Sequence, residues 1–139
     1  MAVRTTTFQI KTGGFSDMHD ITSAVLDFVG QTNIANGVVT VFVPGSTAGI
    51  TTIEYESGVL EDLKRAFERI VPQGMHYDHD ARWGDGNGFA HVRAALLKPS
   101  LSLPLIDRSV KLGTWQQIVL IDFDNRWRMR EVVVQVLGE

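Results

Sequence analysis

The sequence predicts an α+β protein: a mixed, mostly antiparallel β-sheet with two main helices packed on one side. Three observations carry this. Val59, Leu60, Leu63, Phe67, Ile70 and Val71 recur at three- and four-residue steps, the period of a helix buried along one face. The run "VVTVFV" at 38 to 43 is β-branched and apolar on both faces, the pattern of a central strand rather than an edge. The C-terminal half runs through "LSLPLID", "SVKLGTW", "QIVLIDFD" and "MREVVVQVLG", a succession of strand-like segments.

In chain order, residues 3 to 11 alternate, with Val3, Thr5, Thr7 and Ile10 supplying β-branched content, and predict a half-buried strand. Gly13 and Gly14 break it. Asp17 or Asp20 caps a helix in which Ile21, Ala24, Val25, Phe28 and Val29 share a face. Asn36 and Gly37 punctuate before the strand at 38 to 43, and "PGSTAGITTIEY" follows as a loop and a second strand. Ser57 and Gly58 open the strong helix, whose other side carries Glu61, Asp62, Lys64, Arg65, Glu68 and Arg69; Pro72 ends it. Residues 73 to 88 read as a long polar loop. "HVRAALL" after it fits a short helix or a strand. Asp124 and Asn125 predict a hairpin turn between the last two strands.

A chain of 139 residues makes one domain, 1 to 139, and buries about 68% of its unfolded surface without a staple. No linker, repeat or low-complexity tract divides it. A formal net charge of -3 gives no footprint for nucleic acid or an anionic membrane surface. The absence of cysteine excludes disulfides, thiolate metal sites and a Cys nucleophile. No apolar run approaches the ~18 residues of a spanning helix, and "MAVRTTTFQI" lacks a signal-peptide layout, so a cytoplasmic location is expected.

The stretch "WGDGNGFAHVRAALL" (83 to 97) draws attention first. Its glycines allow close backbone approach, Asp85 and Asn87 offer polar contacts, and His91 stands two residues from Arg93 at the exit. If residues 89 to 93 are extended, Phe89, His91 and Arg93 share a face; if helical, they do not. His91 fits a functional imidazole or a core histidine satisfied by one backbone bond. His76, His79 and His91, with Asp78, Asp80 and Asp85, suit zinc or another divalent ion, or are solvated loop residues. In "PGSTAGIT" (44 to 51), Ser46 and Thr47 with flanking glycines let backbone N–H groups approach an anion, or form a plain turn. No Gly-Lys-Ser/Thr ending follows, so no nucleotide site is expected, and nothing calls for an organic cofactor. Glu54 is a lone carboxylate that works as an acid or base if buried and is ordinary if exposed. On an extended chain Arg126, Arg128 and Arg130 point one way and suit a phosphate, or make a surface salt-bridge ladder with Asp122, Asp124 and Glu131. Gln116, beside Trp115 at a strand start, serves packing and edge pairing or is a candidate specificity group.

In order and spacing, "VFVPGSTAGITTIEYESG", "WGDGNGFAHVRAALLKPSLSLPLID" and "LGTWQQIVLIDFDNRWRMREVVVQVLGE" resemble the YjbQ-like family, described as secondary thiamine-phosphate synthases. The resemblance covers nearly the whole chain. It implies a curved sheet, a homotrimer with sites near subunit boundaries, and a weak transferase activity. That activity joins an aminopyrimidine diphosphate to a thiazole phosphate and releases pyrophosphate, usually with Mg²⁺ on the leaving group. On this reading Ser46, Thr47, Arg93, Gln116, Arg128 and Arg130 bind substrate or phosphate. Glu54 or Asp85 binds a metal or steadies positive charge, and His91 acts as an acid oriented by Asn87. His79 and His91 are the candidate ligands for a divalent metal, Mg or Zn. Two departures bear on this: Gly45 and Phe89 stand where many relatives carry histidine. The alternatives are a non-catalytic trimeric module for a small anionic metabolite and a metal-dependent hydrolase on His76, His79 and His91. Apolar edges such as residues 132 to 137 are compatible with a trimer.

Overall fold

A computed structural model describes all residues from Met1 to Glu139. Strand β1 (Ala2–Thr12) leads through β2 (Asp17–Asp20) into helix α1 (Thr22–Gln31), then β3 (Gly37–Phe42) and β4 (Ala48–Ile53). Helices α2 (Ser57–Ile70), α3 (Asp78–Trp83) and α4 (Gly88–Leu97) follow, and β5 (Ser100–Ile106), β6 (Ser109–Val110), β7 (Gln117–Asp122) and β8 (Arg128–Gly138) complete the chain. The curved sheet system has two parts, a five-stranded one in the order β1-β8-β3-β5-β6 and a three-stranded one in the order β2-β7-β4. Every pairing is antiparallel.

The α+β class and its curved antiparallel sheet are as the sequence predicts. Two cores organise it. The first lies between the sheets: Val39 and Val41 of β3 and Val132, Val134 and Val136 of β8 face Ile118 and Leu120 of β7, with Ile21, Val25 and Val29 at α1. The second holds the opposite face of β7, Val119 and Ile121, with Phe123, against Phe67 and Val71 by α2 and Phe89, Ala90 and Ala94 of α4. The helices read from the sequence, α1 and α2, therefore join different cores, and α4 shares the layer of α2. The strand buried on both faces is β7; β3 is central, but Val38 and Phe42 on its outer face remain partly exposed. Residues 132 to 137 are not an edge either, since β8 lies between β1 and β3.

Two local readings are corrected, the polar loop and the hairpin, and the others are made specific. Asp17 belongs to β2, and the α1 start is held by Asp20, whose Oδ1 accepts from Thr22 N (3.0 Å) and Thr22 Oγ1 (2.6 Å). For α2 the capping side chain is Glu56, which accepts from Gly58 N (2.7 Å) and Val59 N (2.9 Å). The polar loop 73 to 88 contains α3, too short to show a period, which Gly84 ends in the left-handed region (φ 70°). Asp124 and Asn125 form no hairpin: β7 pairs with β2 and β4 whereas β8 pairs with β1 and β3, so the chain passes from one sheet to the other there. "HVRAALL" is helical.

Candidate functional site

That crossing is held by buried charge. Arg130 donates from Nε to Asp122 Oδ2 (2.6 Å) and from Nη2 to Asp122 Oδ1 (2.9 Å), a bidentate grip. Nη2 also reaches Thr47 Oγ1 (2.6 Å), and the Thr47 hydroxyl donates to Asp124 Oδ2 (2.8 Å). Arg128 Nε donates to the same Asp124 oxygen (3.1 Å), and the Thr12 hydroxyl donates to Asp122. Two guanidiniums thus balance two fully buried carboxylates, which is what permits the burial. Burial alone would raise the Asp124 pKa. Hydrogen bonding from Thr47, Arg128 and Asn87 outweighs it and holds the group below its ordinary 3.8.

Against this network lies the turn before β4. Gly45 has φ 142°, and a Cβ there would stand 3.0 Å from Arg130 Nη1, so glycine suits both the backbone and the approaching cation. The backbone N–H groups of Gly45, Ser46 and Thr47 donate to nothing in the chain, and neither does Arg130 Nη1. A cleft of about 250 Å³ opens between this turn and α4, with Ser46 and Ala48 on one wall and His91 and Ala94 on the other. Burial, and next the neighbouring His79, hold the His91 pKa below its ordinary 6.5 against the opposite pull of Asp85, Asp124 and Asp80. This favours the uncharged form of His91 at neutral pH, the form that accepts a proton.

The His79 ring stacks on His91 with centroids 4.3 Å apart and a 40° tilt. Its Nδ1 looks to carboxylates instead: Asp85 Oδ1 at 3.4 Å and Asp80 Oδ1 at 3.6 Å. Those oxygens are themselves anchored, Asp80 Oδ1 by Gly88 N (2.8 Å) and Asp85 Oδ1 by Asn87 N (3.2 Å). Buried Asn87 accepts from Asn125 N (3.1 Å) and ties this loop to the β7–β8 crossing.

The structure thus gathers His79, Asp85, Asn87, His91, Ser46, Thr47, Arg128 and Arg130 at one corner and leaves three candidates elsewhere. On a helix, positions 91 and 93 lie about 200° apart. Arg93 accordingly points into the second core, donating to Val71 O from Nε (3.0 Å) and Nη2 (2.9 Å), to Glu68 Oε2 (2.7 Å) and to Ser16 Oγ (3.2 Å). It clamps the end of α2. Glu54 is exposed past the far end of β4, about 20 Å along the strand from Ala48. Gln116 bonds Thr52 Oγ1 and Gly113 N, both 2.9 Å, and fastens the turn before β7 to that same end. Phe89 is a core residue, 1% exposed. His76 is largely exposed and pairs only with Asp78 (3.2 Å). From the sequence, the carboxylates of Asp122 and Asp124 figure only in one of two alternatives for the arginines, as partners in a surface ladder, whereas both are fully buried. The signal for more is in the sequence: two carboxylates follow the apolar run 118–121, with Arg128 four residues beyond Asp124 and Arg130 eight beyond Asp122.

Fold and corner together define a class: a two-sheet α+β scaffold with free backbone donors and a neutral imidazole facing each other at the sheet crossing. The family described as UPF0047 protein YjbQ-like matches residues 6–139, and the chain belongs to it. A UPF0047 protein of Methanothermobacter thermautotrophicus is 37% identical over 139 residues, covering 100% of this chain and 95% of the relative. The crystal structure of a hypothetical protein from Aeropyrum pernix K1 superposes with TM-score 0.90 at 29% identity, covering 98% and 99% of the two chains. A YbjQ-like protein of unknown function from Sulfolobus solfataricus P2 gives 0.89 at 28%, covering 99% and 100%.

Proposed function

We propose that the chain is a low-activity transferase of the thiamine-phosphate synthase type, acting on phosphorylated pyrimidine and thiazole precursors with release of pyrophosphate. One observation carries the reading: the turn that lines the His91 cleft with Gly45 and Ser46 has three consecutive unbonded N–H groups, at Gly45, Ser46 and Thr47, and the free Nη1 of Arg130 lies against Gly45. Such donors hold a phosphate without rearrangement, and the buried guanidinium supplies charge where a leaving group develops it. As the carbon–oxygen bond to the diphosphate breaks, its electron pair leaves with pyrophosphate and a carbon–nitrogen bond forms to the thiazole. Arg128 commits Nε to Asp124, and its terminal nitrogens make no hydrogen bond within the chain. His91 orients substrate or takes a proton from it. A divalent ion such as Mg²⁺ would neutralise the departing diphosphate.

Incubation with both precursors and Mg²⁺ should yield thiamine phosphate above a His91→Ala control; equal yields overturn the reading. In a ¹⁵N–¹H spectrum, pyrophosphate should shift the Gly45, Ser46 and Thr47 amides first. Shifts without turnover would assign the non-catalytic anion-binding module instead. The reading includes a homotrimer, for which the outer face of the five-stranded sheet offers apolar surface.

A further inference from the structure

Next to the cleft, His79 Nδ1 is closed off from solvent and hydrogen-bonded to nothing, although two carboxylate oxygens stand at 3.4 and 3.6 Å. A histidine simply paired with an aspartate would bring nitrogen and oxygen to roughly 2.9 Å along the N–H. Here neither oxygen is in that position. All three donor atoms lie within 4.8 Å of one another. The two separations from His79 Nδ1 match the edge of a tetrahedron around an ion: bonds of about 2.1 Å place neighbouring ligands about 3.4 Å apart. Two carboxylates and a neutral imidazole also balance a dication, and this mixed N/O set suits a first-row divalent ion. Asp80 and Asp85 are already oriented by Gly88 N and Asn87 N, so the ligands are held by the backbone around them. Asp85, half exposed, leaves a way in.

We propose that His79, Asp80 and Asp85 form a binding site for one divalent transition-metal ion, bound through His79 Nδ1 and one oxygen of each carboxylate. The site differs from a His79–His91 pair: the two imidazoles stack, and the nitrogen facing the donors belongs to His79 alone. It stands without the transferase reading, because its test needs no substrate.

Titrate the full chain with Co²⁺ alone and follow visible absorption, with Zn²⁺ as competitor. One Co²⁺ per chain should bind saturably with the absorption of a low-coordinate site, and Zn²⁺ should displace it. Asp85→Asn and His79→Gln should each weaken binding at least tenfold, whereas His76→Gln and His91→Ala should leave it within twofold. Because His79→Gln also alters the stack on His91, the wild-type proton spectrum gives a second readout: Co²⁺ should shift the His79 ring resonances strongly. Absence of saturable binding, unchanged affinity in Asp85→Asn, or loss of binding in His91→Ala overturns the proposal.

Discussion

His91 and Arg93 show how far two neighbours diverge once a helix separates them. Burial beside His79 holds His91 below 6.5, so an NMR titration should find it less than half protonated at pH 6.5; half-protonation at or above that pH contradicts the environment described. The guanidinium at 93 has no such freedom. Arg130 is the other residue-scale anchor, and Arg130→Met should cost about 3–5 kcal/mol in urea unfolding, because it strands buried Asp122 without its cation. Candidates such as Ser46, Thr47 and Asn87 were legible from residue type and loop context. Glu54 and Gln116 looked equally suitable, and only their place at the far end of β4 separates them from the corner.

At the scale of elements, α4 decides the site. Its first residue, Gly88, sits where a Cβ would lie 2.6 Å from Tyr77 Cβ, so α3 and α4 meet at backbone distance. Gly88→Ala should therefore destabilise by roughly 1–3 kcal/mol, and it should also disturb the bond from Gly88 N to Asp80; thermal unfolding and the His79 ring signals measure the two effects. α2 was legible because one face is apolar over four turns. α4 was not, because "GFAHVRAALL" is apolar nearly all round: it contacts both the second core and the cleft. The β7–β8 connection misled for a related reason. Asp124 and Asn125 are good turn residues, yet which strands then pair is set by packing between sheets, not by the turn.

For the whole molecule, the outer face of the five-stranded sheet carries Val3, Leu137, Val38 and Pro104 in one cross-strand row, with Phe42 beside Val133 four residues along. Val3, Val38, Phe42 and Leu137 are all more than a third exposed. A homotrimer using this face predicts a mass near three chains in sedimentation and a monomer for Val38→Asp/Leu137→Asp; a wild-type monomer refutes it. Acid should weaken the fold in two stages. The unfolded chain takes up the His91 proton near pH 6.5 and the folded chain only below that, so this stability is lost as pH falls from about 6.5. Asp124, lowered from 3.8, contributes stability above that value and loses it as pH falls through its lower folded one. Chemical denaturation at pH 7.5, 5.5 and 3 checks both signs. No helix is long and apolar enough to cross a membrane.

Alone, the sequence determined the α+β class, most strands, α2 and the pool of polar residues from which a site can be drawn, because periodicity and turn chemistry are local. It also carried the family, through the order of its motifs. Tertiary structure decided which residues meet. The sheet crossing buries Arg130 with Asp122 and Asp124, the helical course of residues 88–97 turns His91 to the cleft and Arg93 to the core, and the α3–α4 junction sets His79 against two carboxylates. The first depends on contacts between residues far apart in the chain, and the other two on a helix and a tight junction that no period in the sequence marks.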